Sequence, residues 1–358
     1  MAEKAEARAI ADRLYAAFLA AGAAPVEADI LQPAEVLLDL YGEDIRARAY
    51  VAADTVRGEM MLRPDFTVPV VQMHMAHGAE PARYAYRGEV FRKQEHLTTR
   101  KSEYLQVGYE VFARDNPSDA DAEVFALFAG LLAPLSLRAA TGDIGILMAA
   151  VRGLNTLENR KAALLRHVWR PGRFTRLLDR FGGLSEPSPT RAALLAGAGV
   201  GAAPLVGLRG QDEIDARLAA LREDAAHPPV SAEEVALLDD LLNLSAPSGQ
   251  ALSHLRDLCA PMPAITPAVD RMEARLAALD ARGIDAAALP FEASHGRTTL
   301  EYYDGFVFSF HADDAGLPPV ASGGRYDALT RVLGQGRSIP AVGGVIRPGL
   351  VADLGGLA

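Results

Sequence analysis

Residues 86–112, YRGEVFRKQEHLTTRKSEYLQVGYEVF, hold the densest set of groups that could grip a ligand. Two alternating segments, Tyr84 to Phe91 and Tyr104 to Phe112, flank a charged stretch from Arg92 to Glu103, the pattern of a hairpin with a long polar loop. Arg87, Glu89, Gln106 and Glu110 recur at even spacings along those strands. A sheet face rich in such groups is costly unless they are solvated or bind something. Arg92 stands where the first strand enters the loop, and its planar fork could hold a carboxylate or a phosphate. The same pattern fits an exposed hairpin with surface ion pairs.

Three other segments carry candidate chemistry. In LRPDFT, residues 62–67, Asp65 and Thr67 beside a turn could bind an amine, or Asp65 could cap the helix that follows. In LEYYDGFVFSFHA, residues 300–312, alternation puts Tyr303, Gly305, Val307 and Ser309 on one face and Tyr302, Asp304, Phe306, Phe308 and Phe310 on the other, which also suits a plain core strand. In ASGGRYDALTRVLG, residues 321–334, paired glycines let the backbone pass close to a neighbour or ligand. His74 and His77 lie one helical turn apart without a third ligand, and the single cysteine, Cys259, lacks ligand spacing, so no metal site and no disulfide are expected.

These segments need elements to position them. A helix pattern runs to about Ala20, and residues 25–60 read as short strands around a turn ending in Gly58. Residues 61–77 read as a turn, then a helix. Asn116 to Asp119 feeds a helix over about 119–134 that buries Val124, Leu127, Phe128 and Leu131, and a strand with Ile144 and Ile146 follows Gly142. Residues 150–258 are rich in Ala and Leu, with roughly five helices and no strand. A helix over about 266–282 is ended by Gly283. Strands return at Leu289 to Ala293, Leu300 to His311, Val320 to Gly323 and 340–346, before a short last helix. Antiparallel strands with segregated helices predict an α+β fold: a core of 1–150 and 260–358 interrupted by a helical insertion at 151–259.

The chain has 358 residues, 23% of them charged, and a net charge of -10, which disfavours general binding to phosphate backbones. It has no run of about 18 apolar residues, and its amphipathic start lacks a signal-peptide core, so no membrane span and a cytoplasmic location are expected.

The four segments, in this order, resemble histidyl-tRNA synthetases over most of residues 1–355. LRPDFT is similar to that family's LRPEGT turn, the hairpin to class II motif 2, LEYYDGFVF to the histidine-specific strand, and SGGRYD to CGGRYD. The resemblance implies a class II aminoacyl-tRNA synthetase-like core with a pocket for histidine. Asp65 and Thr67 would hold the α-amino group, Arg92 the carboxylate, Gln106 and Glu110 would frame the ligand, and Tyr302 and Tyr303 would lie beside the imidazole.

Departures from that family point away from catalysis. The motif 3 arginine falls on Leu350, with Arg347 three residues early, and the catalytic arginine before the tyrosines falls on Thr298, with Arg297 one residue off. Gln94 replaces the acidic residue of motif 2, Asp29 replaces the proline of motif 1, and no anticodon-binding domain is expected. Losing preorganised cations around a developing phosphate charge costs orders of magnitude in rate. This combination resembles a paralogous family, the regulatory subunits of ATP phosphoribosyltransferase. That resemblance implies a non-catalytic chain without a cofactor and without tRNA. It would self-dimerise and join a short-form catalytic subunit in a hetero-octamer, with L-histidine as feedback effector in histidine biosynthesis. The alternative is an adenylate-forming, synthetase-like enzyme acting on histidine or another amino acid.

Overall fold

The alternation in residues 82–112 produces the expected hairpin, and a large sheet grows from it. The computed structural model describes residues 4–41, 45–93, 101–197, 210–297 and 302–357. Its strands are β1 (Ala24–Pro25), β2 (Leu31–Pro33), β3 (Val51–Asp54), β4 (Gly58–Leu62), β5 (Ala82–Phe91), β6 (Glu103–Phe112), β7 (Arg138–Asp143), β8 (Ser245–Pro247), β9 (Pro290–Glu292), β10 (Phe306–His311), β11 (Ala321–Arg325) and β12 (Ala341–Ile346). Nine of them form one sheet in the order β1-β5-β6-β12-β11-β10-β7-β9-β8, and β2-β4-β3 form a small second sheet. Pairing from β5 through β7 is antiparallel throughout.

The period of two sorts each strand between two environments. On one face Val107, Tyr109, Phe306 and Phe308 pack beneath helices Lys4–Ala20 and Pro117–Leu132. Phe18 of the first helix lies 5.3 Å from Tyr109 and 5.4 Å from Phe128, ring centre to ring centre. The opposite face carries Tyr86, Phe112 and Val307 and is covered by helix Thr67–His77, helix Asp327–Leu333 and part of the helical stretch, including Val168 and Phe174. This second face bears the candidate site.

Several expectations from the sequence are corrected. Ile144 and Ile146 lie in helix Ile144–Gly153, not in a strand, because the Asp143 carboxylate caps Gly145 N–H at 3.0 Å and the strand ends there. Helix Pro117–Leu132 buries Phe125 and Leu132 where Leu127 and Leu131 were expected. Phe125 takes the core position against Phe306, Phe308 and Phe310 at 6.3, 5.5 and 5.3 Å. Strand β10 begins at Phe306, so Tyr302 and Tyr303 occupy a turn, and both pack into the same cluster instead of opposite faces. Asp304 N–H bonded to Arg325 O, and Gly305 O receiving Ile144 N–H, both at 3.0 Å, hold that turn. Residues 25–60 include a helix, Ala34–Tyr41, besides the β3–β4 hairpin whose turn uses Gly58 at φ +81°. Residues 150–258 contain six helices beyond Gly153 among the described residues, and also β8, which pairs with β9. Helix Thr266–Asp280 ends two residues before the expected 282, and Gly283, at φ +79°, returns its N–H to Asp280 O. No helix among the described residues is long and apolar enough to cross a membrane.

Candidate functional site

Glu110 lies on the covered face, 1% exposed, two residues before the end of β6. Its Oε1 accepts the hydroxyls of Tyr86 at 2.8 Å and Thr67 at 3.1 Å, and its Oε2 accepts that of Tyr326 at 2.5 Å. All three partners are neutral. Its neighbour across the ladder is Gly343, where an added Cβ would fall 1.5 Å from Oε2. The carboxylate therefore occupies the space of a missing side chain. Burial raises the Glu110 carboxyl to about 7; the three hydroxyls oppose this, and the negative charge of Asp65 adds to it.

Asp65 and Thr67 arrive from the turn that starts helix Thr67–His77, each 5% exposed. Asp65 Oδ1 also receives Val68 N–H at 3.4 Å, so the capping and ligand readings of this residue are compatible. Two carboxylates that repel each other in a buried cleft make a site for a cation such as an ammonium. Gln106 lies four residues before Glu110 on the same strand face and is fully buried, yet neither its Nε2 nor its Oε1 has a partner among the described residues. A buried amide left unpaired costs roughly 1–3 kcal/mol, which a bound polar ligand would recover.

Aromatic rings close one side. Tyr302 and Tyr303 meet edge to face at 4.8 Å, and Tyr302 stands 6.0 Å from Tyr326. Burial, then Glu110 and Asp65, push the Tyr303 hydroxyl up, which locates it near both carboxylates. The paired glycines make this possible. A Cβ on Gly324 would sit 2.6 Å from Phe306 O and 2.9 Å from the Tyr303 ring, and one on Gly323 would sit 2.4 Å from Gly343 O.

The cations are distributed unevenly. Arg92 donates Nε to Pro64 O at 2.8 Å, tying the hairpin to the LRPDFT turn. Arg347 donates Nη1 to Pro319 O at 2.6 Å and contacts Ser322 Oγ at 3.4 Å. Burial lowers its guanidinium; Tyr104 and Tyr303 oppose this and the positive charge of Arg92 adds to it, so Arg347 reaches the same cleft despite its early position in the sequence. Arg297 turns away: it donates Nε to Val168 O at 2.7 Å and lies over the Phe174 ring at 4.9 Å. Gln94 and Thr298 lie outside the described residues.

The four polar hairpin residues separate by face. Arg87 and Glu89 point away from the cleft and pair with Asp12 and Arg8 of the first helix, so the surface-ion-pair reading holds for them, while Gln106 and Glu110 face inward. Tyr86, Tyr326 and Gly343 belong to the site and were missed. Tyr86 was legible from its alternation with Tyr84 and Gly88, and Tyr326 from its place in SGGRYD.

A family model described as histidyl-tRNA synthetase matches residues 1–183 and 213–348. The chain is 32% identical over 360 residues to the ATP phosphoribosyltransferase regulatory subunit of Mesorhizobium japonicum, covering 94% of each chain. It is likewise 32% identical over 352 residues to that of Allorhizobium ampelinum, covering 91% of this chain and 92% of the relative. The chain belongs to the family of ATP phosphoribosyltransferase regulatory subunits. The fold of this regulatory-subunit family is that of the synthetases. A crystal structure described as an ATP phosphoribosyltransferase regulatory subunit/histidyl-tRNA synthetase from Bacillus halodurans superposes with a TM-score of 0.70 at 22% identity, covering 100% of this chain and 82% of that one. The histidyl-tRNA synthetase of Nostoc sp. PCC 7120 gives 0.66 at 16% identity, covering 98% and 72%. The family match reaches residue 348, so β12 and the cleft around Glu110 lie within it.

Proposed function

We propose that this chain is the non-catalytic regulatory subunit of an ATP phosphoribosyltransferase and that free L-histidine, bound around Glu110, is its effector. The unpaired amide of Gln106, four residues before Glu110 on the same face of β6, carries the ligand assignment, in a chain 32% identical to proteins named as that subunit. The ammonium of histidine would lie between Asp65 and Glu110 beside Thr67, with Gln106 framing the ligand further along the strand. The carboxylate would meet Arg92, and the ring would pack on Tyr302 and Tyr303. Charge-assisted bonds of this kind contribute roughly 1.5–3 kcal/mol each.

The partner is a short-form catalytic subunit, joined in a cytoplasmic hetero-octamer with the regulatory chain as a dimer. Histidine then regulates only through unequal affinity for two states of the assembly, and a coupling of about 1–3 kcal/mol suffices. Against adenylate formation, Arg297 donates its Nε to Val168 O and lies over the Phe174 ring, with only its Nη2 left unpaired among the described residues.

The test is reconstitution with the catalytic subunit. Arg92→Ala should weaken histidine inhibition about tenfold or more while stimulation of basal turnover persists. Inhibition equal to wild type would refute the pocket. Histidine-dependent ATP–pyrophosphate exchange by the chain alone would refute the non-catalytic role.

A further inference from the structure

Helix Pro171–Phe181 carries a basic stripe that the effector reading does not use. Residues 160–181 hold seven Lys or Arg and a single acidic residue, Asp179, in a chain of net charge -10. Phe174, Leu178 and Phe181 are buried and define the inner face of the helix. Arg173, Arg176 and Arg180, three and four positions apart, then share an outer face, and all three are exposed. Arg166, exposed at the end of the preceding helix Glu158–Arg166, adds to the charge. An open depression of about 390 Å³ lies at the head of the stripe, lined by Arg170, Pro171, Gly172, Arg173 and Arg176.

These charges find no carboxylates at home. Arg166, Arg173, Arg176 and Arg180 form no ion pair among the described residues. Arg176 donates Nε to Gly172 O at 3.1 Å, and Arg180 lies over the Phe181 ring at 4.6 Å. Close to Arg180, Arg160 and Arg191 share one carboxylate, Asp224, so positive charge is in excess there too. Other surface arginines pair within the chain: Arg57 with Asp54, Arg87 with Asp12, Arg114 with Glu80 and Arg256 with Asp270. Like charges three and four residues apart weaken a helix, so the stripe has a cost that no contact among the described residues returns. A partner that brings carboxylates would return it.

We propose that the stripe of Arg173, Arg176 and Arg180 docks the catalytic subunit through an acidic patch on that partner, which rests on the regulatory reading above. Guanidinium forks take carboxylates two bonds at a time, and arginine is enriched where protein surfaces meet. A nucleic acid suits the stripe less well. From Arg173 to Arg180 it spans only about 10 Å at 1.5 Å per residue. Phe174 and Phe181 are buried and Trp169 donates its indole N–H inward to Tyr303 O, so bases would find no exposed Phe, Tyr or Trp ring of this segment to stack on. A two-fold contact with a second copy, centred on the stripe, would set arginine against arginine. The position also suits a regulatory contact. Val168 and Trp169, immediately before the helix, hold Arg297 and the turn of Tyr302 and Tyr303, so a partner seated on the stripe lies next to the backbone that supports the pocket turn.

The test is the affinity of the full chain for the short-form catalytic subunit, measured by interferometry at several salt concentrations. Wild-type association should weaken between about 50 and 300 mM salt. The double variant Arg173→Glu/Arg176→Glu should raise Kd about tenfold or more at low salt and flatten the salt dependence. Arg173→Gln/Arg176→Gln, the second variant should the first fail to fold, should raise it about threefold or more. Arg57→Glu, at an arginine paired within the chain, should leave Kd within about twofold. Unchanged association in both double variants, or an equal loss in Arg57→Glu, would overturn the proposal and leave the effector pocket standing. A wild-type chain that did not bind the catalytic subunit at all would sink the regulatory reading, and this inference with it. Binding of a single-stranded RNA oligonucleotide that the variants lose, while they still bind the catalytic subunit normally, would give the stripe to nucleic acid and overturn the proposal. Loss of self-association alone would give it to a second copy, with the same consequence.

Discussion

The indole N–H of Trp169 lies 3.2 Å from the carbonyl oxygen of Tyr303, across 134 residues of sequence. Arg297 makes a parallel link, donating to Val168 O one residue earlier. Residues Val168 and Trp169, just before helix Pro171–Phe181, therefore hold Arg297 and the turn that carries Tyr302 and Tyr303. Trp169→Phe keeps most of the packing and removes the donor. A neutral hydrogen bond contributes about 0.5–1.5 kcal/mol, so histidine affinity should fall by roughly two- to tenfold, with a similarly small loss in urea stability. Unchanged affinity by calorimetry would mean that the turn holds its shape without the insertion.

Glu110 makes stability depend on pH. Its carboxyl is raised from an ordinary 4.5 to about 7 by burial, so between those values the folded chain holds a proton that the unfolded chain has lost. Its contribution is fully present below 4.5 and is lost as pH rises through about 7, roughly 3 kcal/mol in total at about 1.36 kcal/mol per pH unit. Asp304, raised to about 7 by burial and by Asp327, adds a slope of the same sign, so the measurement is a difference. Urea unfolding from pH 4.5 to 8 should show a shallower decline for Glu110→Gln than for wild type. Parallel curves would refute the assignment. Histidine binding should also release a proton near pH 7, as the incoming ammonium favours the ionised carboxylate.

Much of the site could be read in the sequence because it lies on regular strands. β5 and β6 each run ten residues without a break, so the strand period of two puts Gln106 and Glu110 on one face from the sequence alone. Where an element ends, the period fails. Tyr302 and Tyr303 precede the first strand residue, Phe306, and long-range bonds to Arg325 and Ile144 set their directions, which no local pattern encodes. Ile144 and Ile146 have strand propensity, but the Asp143 cap at the end of β7 overrides it. The reach of Arg347 into the cleft depends on the β11–β12 register and on Pro319, both remote in sequence.

Gly343 makes room for the Glu110 carboxylate, which gives a steric test. A Cβ there would meet Oε2 at 1.5 Å and Tyr109 O at 2.8 Å, so the carboxylate must leave its three hydroxyl donors. Gly343→Ala should cost about 1–3 kcal/mol of stability from overpacking and abolish histidine binding. Gly349, in helix Pro348–Asp353, has nothing within 4 Å of its Cβ position, and Gly349→Ala should be neutral or gain up to about 1 kcal/mol. Equal effects in urea denaturation would show that the space around Glu110 can adjust.

The buried charges behind the SGGRYD strand bear on both stability and the pocket. Asp121, 3% exposed, accepts Arg325 Nε at 3.0 Å and Nη2 at 2.7 Å, and lies 3.5 Å from Arg275 Nη1. Asp143 and Asp327 complete the set, each 3.0 Å from one of the two arginines. These contacts join helix Pro117–Leu132 and helix Thr266–Asp280 to β7 and β11, and Arg325 directly precedes Tyr326, the Glu110 donor. Asp121→Ala removes a carboxylate shared by two buried guanidiniums and should cost about 3–5 kcal/mol, with weaker histidine binding as Tyr326 shifts. Salt should not reproduce the effect, because buried pairs are screened far less than exposed ones. Arg256, which pairs with Asp270 and Glu273 on the surface, is the control: Arg256→Ala should leave the urea midpoint almost unchanged. If the two substitutions proved equally mild, the buried cluster would be a passive filling of the core and Tyr326 would be held by its own contacts alone.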